Sequence, residues 1–168
     1  MTRTQFIAYV ERLGRLADAL IQATPEDHLD WRPAAPGKWF SLRDQMWHLA
    51  ACFDIFAWVC AGCPKDDDFD WVDSRDYPQT VDVAEARDIL QRCLAKSRAA
   101  LAALSDEDFR LKPVASPSGW FKGSIGEVCQ MYAEHQTNEK MRLFCYLKML
   151  GVPVDSRLLY TGEMRVAA

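Results

Sequence analysis

Two histidines and a glutamate are the residues of this chain whose types and spacing suit metal chemistry. His135 and Glu139 are four residues apart, so on a helix both side chains lie on one face and reach the same ion. His48, from a separate stretch, completes a set of two imidazoles and one carboxylate that leaves a position for water or substrate. An ion held in this way polarises a bound oxygen or sulfur.

The same residues also allow a purely structural interpretation. Glu139 can pair with Arg142 three residues later, and His135 can be a hydrogen-bonded core histidine. His48 can bond to a backbone carbonyl or to Asp44. Because spacing alone does not separate these cases, we consider a metal-dependent enzyme, a metal-free binding module and a bundle that acts through its partner surface.

His135 and Glu139 belong to a long helix that the sequence predicts over residues 124–151. Ser124 followed by Glu127 is a capping box, and Gly151 close before a proline is a stop signal. Counting by four and three gives an inward-facing seam with a polar middle: Val128, Tyr132, His135, Glu139, Arg142, Tyr146 and Met149. Polar groups are costly to bury without partners, so we expect other groups to lie opposite them.

Three further amphipathic patterns predict helices from about Thr4 to Gln22, from a cap at Ser41 to about Cys60, and from a cap at Asp82 to about Leu104. Strand signals are almost absent, although the loop over residues 111–123 has room for a brief extended piece. Connections of nearly twenty residues can cross the bundle. The fold class is therefore all-α: a four-helix bundle with long crossing connections.

Composition excludes several classes of function. The formal charge of −4 and the pI near 5.4, without clustered lysines and arginines, argue against a nucleic-acid partner. The longest apolar stretch, Ile55 to Ala61, is too short to span a membrane, and the first residues lack a signal-peptide core. We expect a cytoplasmic protein with no membrane partner.

Most of the six cysteines fall within helical patterns, where cysteine packs as a small hydrophobic residue. Cys60 and Cys63 form a lone CxxC. A structural zinc site needs two more ligands at compatible spacing, and a thioredoxin-like pair needs a βαβ context that is absent. We interpret the cysteines as packing residues, including Cys52, one turn after His48.

Two longer motifs carry a family resemblance. The stretch HLDWRPAAPGKWFSLRDQMWHLA, with Trp31 to His48 as its central block, and the stretch EHQTNEKMRLFCYLKMLGVP near the end resemble the DinB-like superfamily. Those proteins are four-helix bundles, described as metal-dependent hydrolases, that share a fold with bacterial thiol S-transferases. In the family, one metal-binding histidine comes from the second helix and two come from an HxxxH pair on the last. His48 and His135 match the first two, and Glu139 occupies the third place.

The resemblance implies a single DinB-like domain over residues 1–168 that is a homodimer and acts on a small molecule. It implies a divalent ion (Zn, Ni, Mn or Fe) held by His48, His135 and Glu139, and a hydrolase or thiol transferase activity. Glu134 and Arg142 are the nearest candidates to support the ligands or to anchor substrate. The glutamate in place of histidine also fits an alternative: a metal-free small-molecule-binding or interaction module of the same fold.

Overall fold

A computed structural model describes residues 1–34 and 37–163 of the chain. Residues 35 and 36, within the first stretch that carries the family resemblance, and the end of the predicted domain, 164–168, lie outside the described residues. The described helices are α1 (Arg3–Gln22), α2 (Leu42–Ala51), α3 (Ile55–Cys60), α4 (Val83–Ala103), α5 (Asp106–Leu111), α6 (Ile125–Met149) and α7 (Ser156–Thr161).

Helices α1, α4 and α6 and the α2–α3 pair form the four-helix bundle, which confirms the predicted fold class. α1 packs against both α4 and α6, and the α2–α3 pair packs against the same two helices. Two pairs of consecutive bundle helices therefore lie diagonally across the core, α1 with the α2–α3 pair and α4 with α6, and the long connections predicted from the sequence serve this arrangement. The short helix α7 packs on α1. No helix within the described ranges combines the length and apolar character needed to cross a membrane.

Helix α6 begins and ends where its local signals predict. The Ser124 hydroxyl accepts a hydrogen bond from the backbone N of Glu127, whose carboxylate accepts one from the backbone N of Ser124 at 2.8 Å. Gly151, with φ +78°, follows the last turn. The predicted seam is buried or half-buried as far as Tyr146, but Met149 is 65% exposed. A straight helix drifts away from a 3.5-residue repeat, so the last seam position turns outward.

The second predicted helix is interrupted. A 3₁₀ turn over Cys52–Asp54 separates α2 from α3, so the prediction of one uninterrupted helix to Cys60 is wrong. Ser97 of α4 causes the interruption: its hydroxyl donates to the carbonyl of Phe53 at 2.7 Å and accepts from the backbone N of Ala57 at 3.2 Å. This hydroxyl stands where a direct hydrogen bond of the helix would otherwise form.

The loop between α5 and α6 contains two short strands rather than the single extended piece that the sequence suggests. β1 (Pro113–Ala115) and β2 (Lys122–Ser124) pair in antiparallel orientation, with Val114 opposite Gly123. This hairpin leads directly into the capping box of α6, so it fixes where the helix that carries His135 begins.

Candidate metal centre

Three side chains with metal-binding atoms converge between α2 and α6. His48 and Cys52 are one helical turn apart, with Cys52 at the first position of the 3₁₀ turn, and His135 comes from the middle of α6. The sulfur of Cys52 lies 3.4 Å from Nε2 of His48 and 3.8 Å from Nε2 of His135. One donor atom from each of the three residues lies within 4.8 Å of the others. We call these three residues the metal centre.

The donor set of the metal centre fits a divalent ion. Bonds of about 2.0–2.3 Å from nitrogen and sulfur to an ion in a tetrahedral site place the donors roughly 3.3–3.8 Å apart. Both distances from the Cys52 sulfur fall in this range. Imidazole and thiolate together suit borderline and soft ions better than hard ones. His48, Cys52 and His135 could therefore hold a metal ion without large rearrangement.

Burial shifts the pKa values of His48 and Cys52 in opposite directions. Burial lowers the pKa of His48, although the charge of Glu139 opposes this, so the neutral imidazole that ligates metal is favoured. Burial and the nearby Glu139 carboxylate raise the pKa of the Cys52 thiol. The thiol therefore keeps its proton until an ion displaces it, because metal binding and deprotonation of a thiol are coupled.

Glu139 lies beside the metal centre in a hydrogen-bonded network. Its carboxylate, 3% exposed, accepts from the side-chain amide of Gln45 at 2.9 Å and from Arg142 at 2.8 Å. The other carboxylate oxygen lies 3.8 Å from Nδ1 of His135, the ring nitrogen opposite the one that faces Cys52. The assignment of Glu139 as a ligand stays a prediction. At 3.8 Å its contact with Nδ1 of His135 is longer than a hydrogen bond, but it places a carboxylate next to an imidazole of the metal centre.

The remaining predicted site residues lie in different surroundings. Arg142 is half-buried, pairs with Glu139 and lies over the ring of Phe40 at 5.8 Å. Glu134 is exposed on α6. The structure thus brings His48, His135, Glu139 and Arg142 into one connected group, whereas a role for Glu134 stays a prediction.

A cavity of about 230 Å³ opens beside the metal centre. Its walls are mainly apolar and aromatic, and Trp47, Ile55, Trp71 and Tyr132 form most of them. Trp47 is fixed by a hydrogen bond of 3.1 Å from its indole N–H to Asp73. The polar atoms of the metal centre lie at one side of this apolar space, so the cavity can take a small apolar group and present it to the three donors.

Sequence reasoning missed Cys52 as a member of the centre. The thiol fits the apolar pattern of α2, which favours a packing interpretation. The available signal was its spacing: Cys52 follows His48 by four residues, the same interval that marks His135 and Glu139. Sequence reasoning also missed Gln45, one turn before His48 on α2, as a hydrogen-bond donor to the carboxylate of Glu139.

Comparison with models of protein families shows to which family the chain belongs. The model of the DinB superfamily matches residues 9–138. The chain belongs to the DinB superfamily. The match to the family model includes all three residues of the metal centre of this DinB-superfamily protein. It ends just before Glu139.

A solved structure supports the fold. The chain is similar to the crystal structure of a DinB-like protein, YjoA, from Bacillus subtilis, with a TM-score of 0.67 and 18% sequence identity. The match covers 88% of this chain and 92% of that one. At this identity the similarity supports the shared fold alone. No curated protein gives a significant match to the chain.

Proposed function

We propose that this DinB-superfamily protein is a metal-dependent enzyme, a hydrolase or a thiol transferase, that acts on a small molecule. His48, Cys52 and His135 would hold a divalent ion from the set Zn, Ni, Mn and Fe. The observation that carries the proposal is the convergence of two imidazoles and a thiol beside an apolar cavity. A bound ion would supply a Lewis acid for a substrate oxygen or sulfur.

The chain's own residues supply binding and orientation. The aromatic walls of the cavity bind the apolar part of a substrate and exclude water from the donors. The ring of His48 packs against two aromatic neighbours that also touch each other, with Phe40 at 5.7 Å and Tyr77 at 6.4 Å, and they limit its movement. Glu139 lies 3.8 Å from Nδ1 of His135, close enough for a small side-chain shift to let the carboxylate orient that ring.

A metal-free small-molecule-binding module is the second candidate. The observation that favours it is that Gln45 and Arg142 already satisfy the buried carboxylate of Glu139. In this case His48, Glu139 and Arg142 act as a polar network beside the same cavity. Under either candidate, we keep the homodimer, the cytoplasmic location and the single domain over residues 1–168 as parts of the proposal.

Metal content of the untagged protein, measured by plasma mass spectrometry after incubation with each ion, separates the two candidates. We expect near-stoichiometric metal in the wild type and almost none in His135→Ala. The matched control is His28→Ala, because His28 is an exposed histidine outside the centre. A wild type that takes up none of the ions would contradict the enzyme proposal and favour the binding module.

Glu139→Gln in the same measurement decides the role of Glu139. If the carboxylate orients His135, the variant still binds metal, with affinity lower by about 10- to 100-fold. Loss as complete as in His135→Ala would instead restore Glu139 as a ligand, as the sequence predicts.

A further inference from the structure

A second recess lies near the metal centre and has Phe40 as one of its walls. Phe40 lies 5.7 Å from the ring of His48 and 5.8 Å from the guanidinium of Arg142, so its ring neighbours both regions. The recess is a cavity of about 180 Å³ lined by Lys38, Trp39, Phe40, Arg142 and Tyr146. Aromatic rings thus form its walls, and two cationic side chains and a phenol supply its polar groups.

The phenol of Tyr146 has no hydrogen-bond partner among the described residues, although Tyr146 is only 2% exposed. Buried hydroxyls normally find a partner, so an unpaired one next to a cavity needs an explanation. Burial raises the pKa of Tyr146, so the hydroxyl keeps its proton and can act as a donor. The edge-on contact with the ring of Trp31 at 5.6 Å holds the side chain in place.

The two cations keep donors available for a ligand. The hydrogen bonds that Arg142 donates to Glu139 and to Gln45 both come from Nη1. Lys38 is exposed at the rim, and it makes no ion pair within the described ranges. Lys38 also lines an adjoining cavity of about 430 Å³ together with Arg32.

The nearby carboxylates are already engaged. Glu139 accepts from Arg142 and Gln45. Asp44 accepts from the backbone N of Ser41 at 3.0 Å and lies 3.6 Å from Arg32. Neither carboxylate pairs with Lys38. The ammonium of Lys38 and the hydroxyl of Tyr146 therefore line the cavity without an acceptor among these carboxylates.

We propose that this recess binds the oxyanion group of a small molecule, a carboxylate or a phosphate. The hydroxyl of Tyr146 donates to it, Lys38 and Arg142 neutralise its charge, and Trp39 and Phe40 flank the attached carbon skeleton. The inference goes beyond the proposed function, because it needs neither a metal ion nor the cavity beside the metal centre.

The test is an NMR titration of ¹⁵N-labelled, metal-stripped protein with sodium acetate and, separately, inorganic phosphate. Ionic strength is held constant with sodium chloride. We expect a saturable shift of the indole N–H resonance of Trp39, which lines the recess, and no comparable shift for Trp71, which lines the cavity at the metal centre. Tighter binding of acetate identifies a carboxylate site, and tighter binding of phosphate identifies a phosphate site.

Two variants with matched controls make the test specific. Tyr146→Phe removes only the hydroxyl and should weaken the affinity for the anion about tenfold. Lys38→Gln should weaken it several-fold, because one positive charge is lost. Tyr9→Phe and Lys122→Gln, which change residues away from the recess, should bind like the wild type.

An absence of saturable shifts with both anions would overturn the inference. So would equal affinities in the wild type and Tyr146→Phe. Because the titration uses metal-stripped protein, these outcomes do not depend on whether the metal centre binds an ion.

Discussion

Two groups of side chains that include cysteine lie along the contact of α2 and α3 with α6, and the thiols in them differ in their neighbours. In the metal centre, the thiol of Cys52 lies between two imidazoles and beside a cavity. The second group, which we call the thiol cluster, consists of Cys60, Cys63 and Cys129. There, the thiols of Cys60 and Cys129 are neighbours, and both Cys63 and Cys129 are buried.

The comparison shows that neighbours decide what a thiol can do. The sulfur of Cys52 has two imidazole nitrogens beside it, with which it could hold an ion. In the thiol cluster, the hydrogen bond with Cys60, together with burial, raises the pKa of Cys129. Removing protons there would bring like charges together in an apolar setting. We therefore keep the packing interpretation for the thiol cluster but not for Cys52.

The largest expected effect separates the two groups by metal affinity. Cys52→Ser removes a sulfur donor and should lower the affinity for the ion by on the order of 100-fold or more. Cys60→Ser should leave the affinity unchanged. Competition against a chromogenic chelator measures both. Equal losses in the two variants would mean that the distinction between the groups is wrong.

A smaller effect is expected at the 3₁₀ turn between the two groups. Ser97→Ala removes the hydroxyl that serves the carbonyl of Phe53 and the backbone N of Ala57, both buried. Leaving such groups unpaired costs about 1–3 kcal/mol in the free energy of unfolding, which urea denaturation measures.

The control for Ser97→Ala is Ser74→Ala, because Ser74 is exposed. A change no larger than that of the control would show that α2 and α3 join into one helix without cost. Metal affinity in Ser97→Ala should stay near that of the wild type, because the hydroxyl of Ser97 bonds to Phe53 and Ala57 and to none of the three residues of the metal centre.

The smallest expected effect is a pH dependence that belongs to the metal centre alone. Because burial lowers the pKa of His48, the folded metal-free protein binds this proton less readily than the unfolded chain does. This contribution to stability is complete above the ordinary pKa of 6.5 and is lost as the pH falls through the lowered pKa of the folded state. His48→Gln should therefore lose less stability between about pH 7 and pH 5 than the wild type.

The thiol cluster provides the control for this pH dependence. Burial and the neighbouring Cys60 raise the pKa of Cys63 to about 11, so Cys63 does not titrate between neutral and mildly acidic pH. Cys63→Ala should lower the midpoint of thermal unfolding at every pH and leave the slope against pH unchanged. If stability depends on pH with the same slope in His48→Gln and in the wild type, the metal centre and the thiol cluster do not differ in pH dependence.

Much of the fold was predictable because its signals are local. The capping box at Ser124 and Glu127 fixes the start of α6 within four residues of sequence, and Asp82 caps α4 in the predicted place. The interruption after α2 was not predictable in this way. It depends on a hydroxyl from Ser97, which lies 44 positions after Phe53 in the chain.

The site was predictable to a smaller extent. The seam on α6 identified His135, Glu139 and Arg142, because polar residues on an otherwise apolar face stand out. Cys52, directly after α2, does not stand out in the sequence, since thiols are common in cores. The unpaired hydroxyl of Tyr146 could not be foreseen either, because only the surrounding packing shows that a phenol lacks a partner.

The packing of α1 between α4 and α6 has a consequence for how the protein folds. During synthesis α1 emerges well before α6, and the part of its apolar face that packs against α6 stays uncovered until that last long helix is available. The packing of the α2–α3 pair against α4 can form earlier, because those helices are closer together in the chain. Assembly of the bundle therefore ends with α6, and the metal centre, which takes His135 from α6, is completed only in that final step.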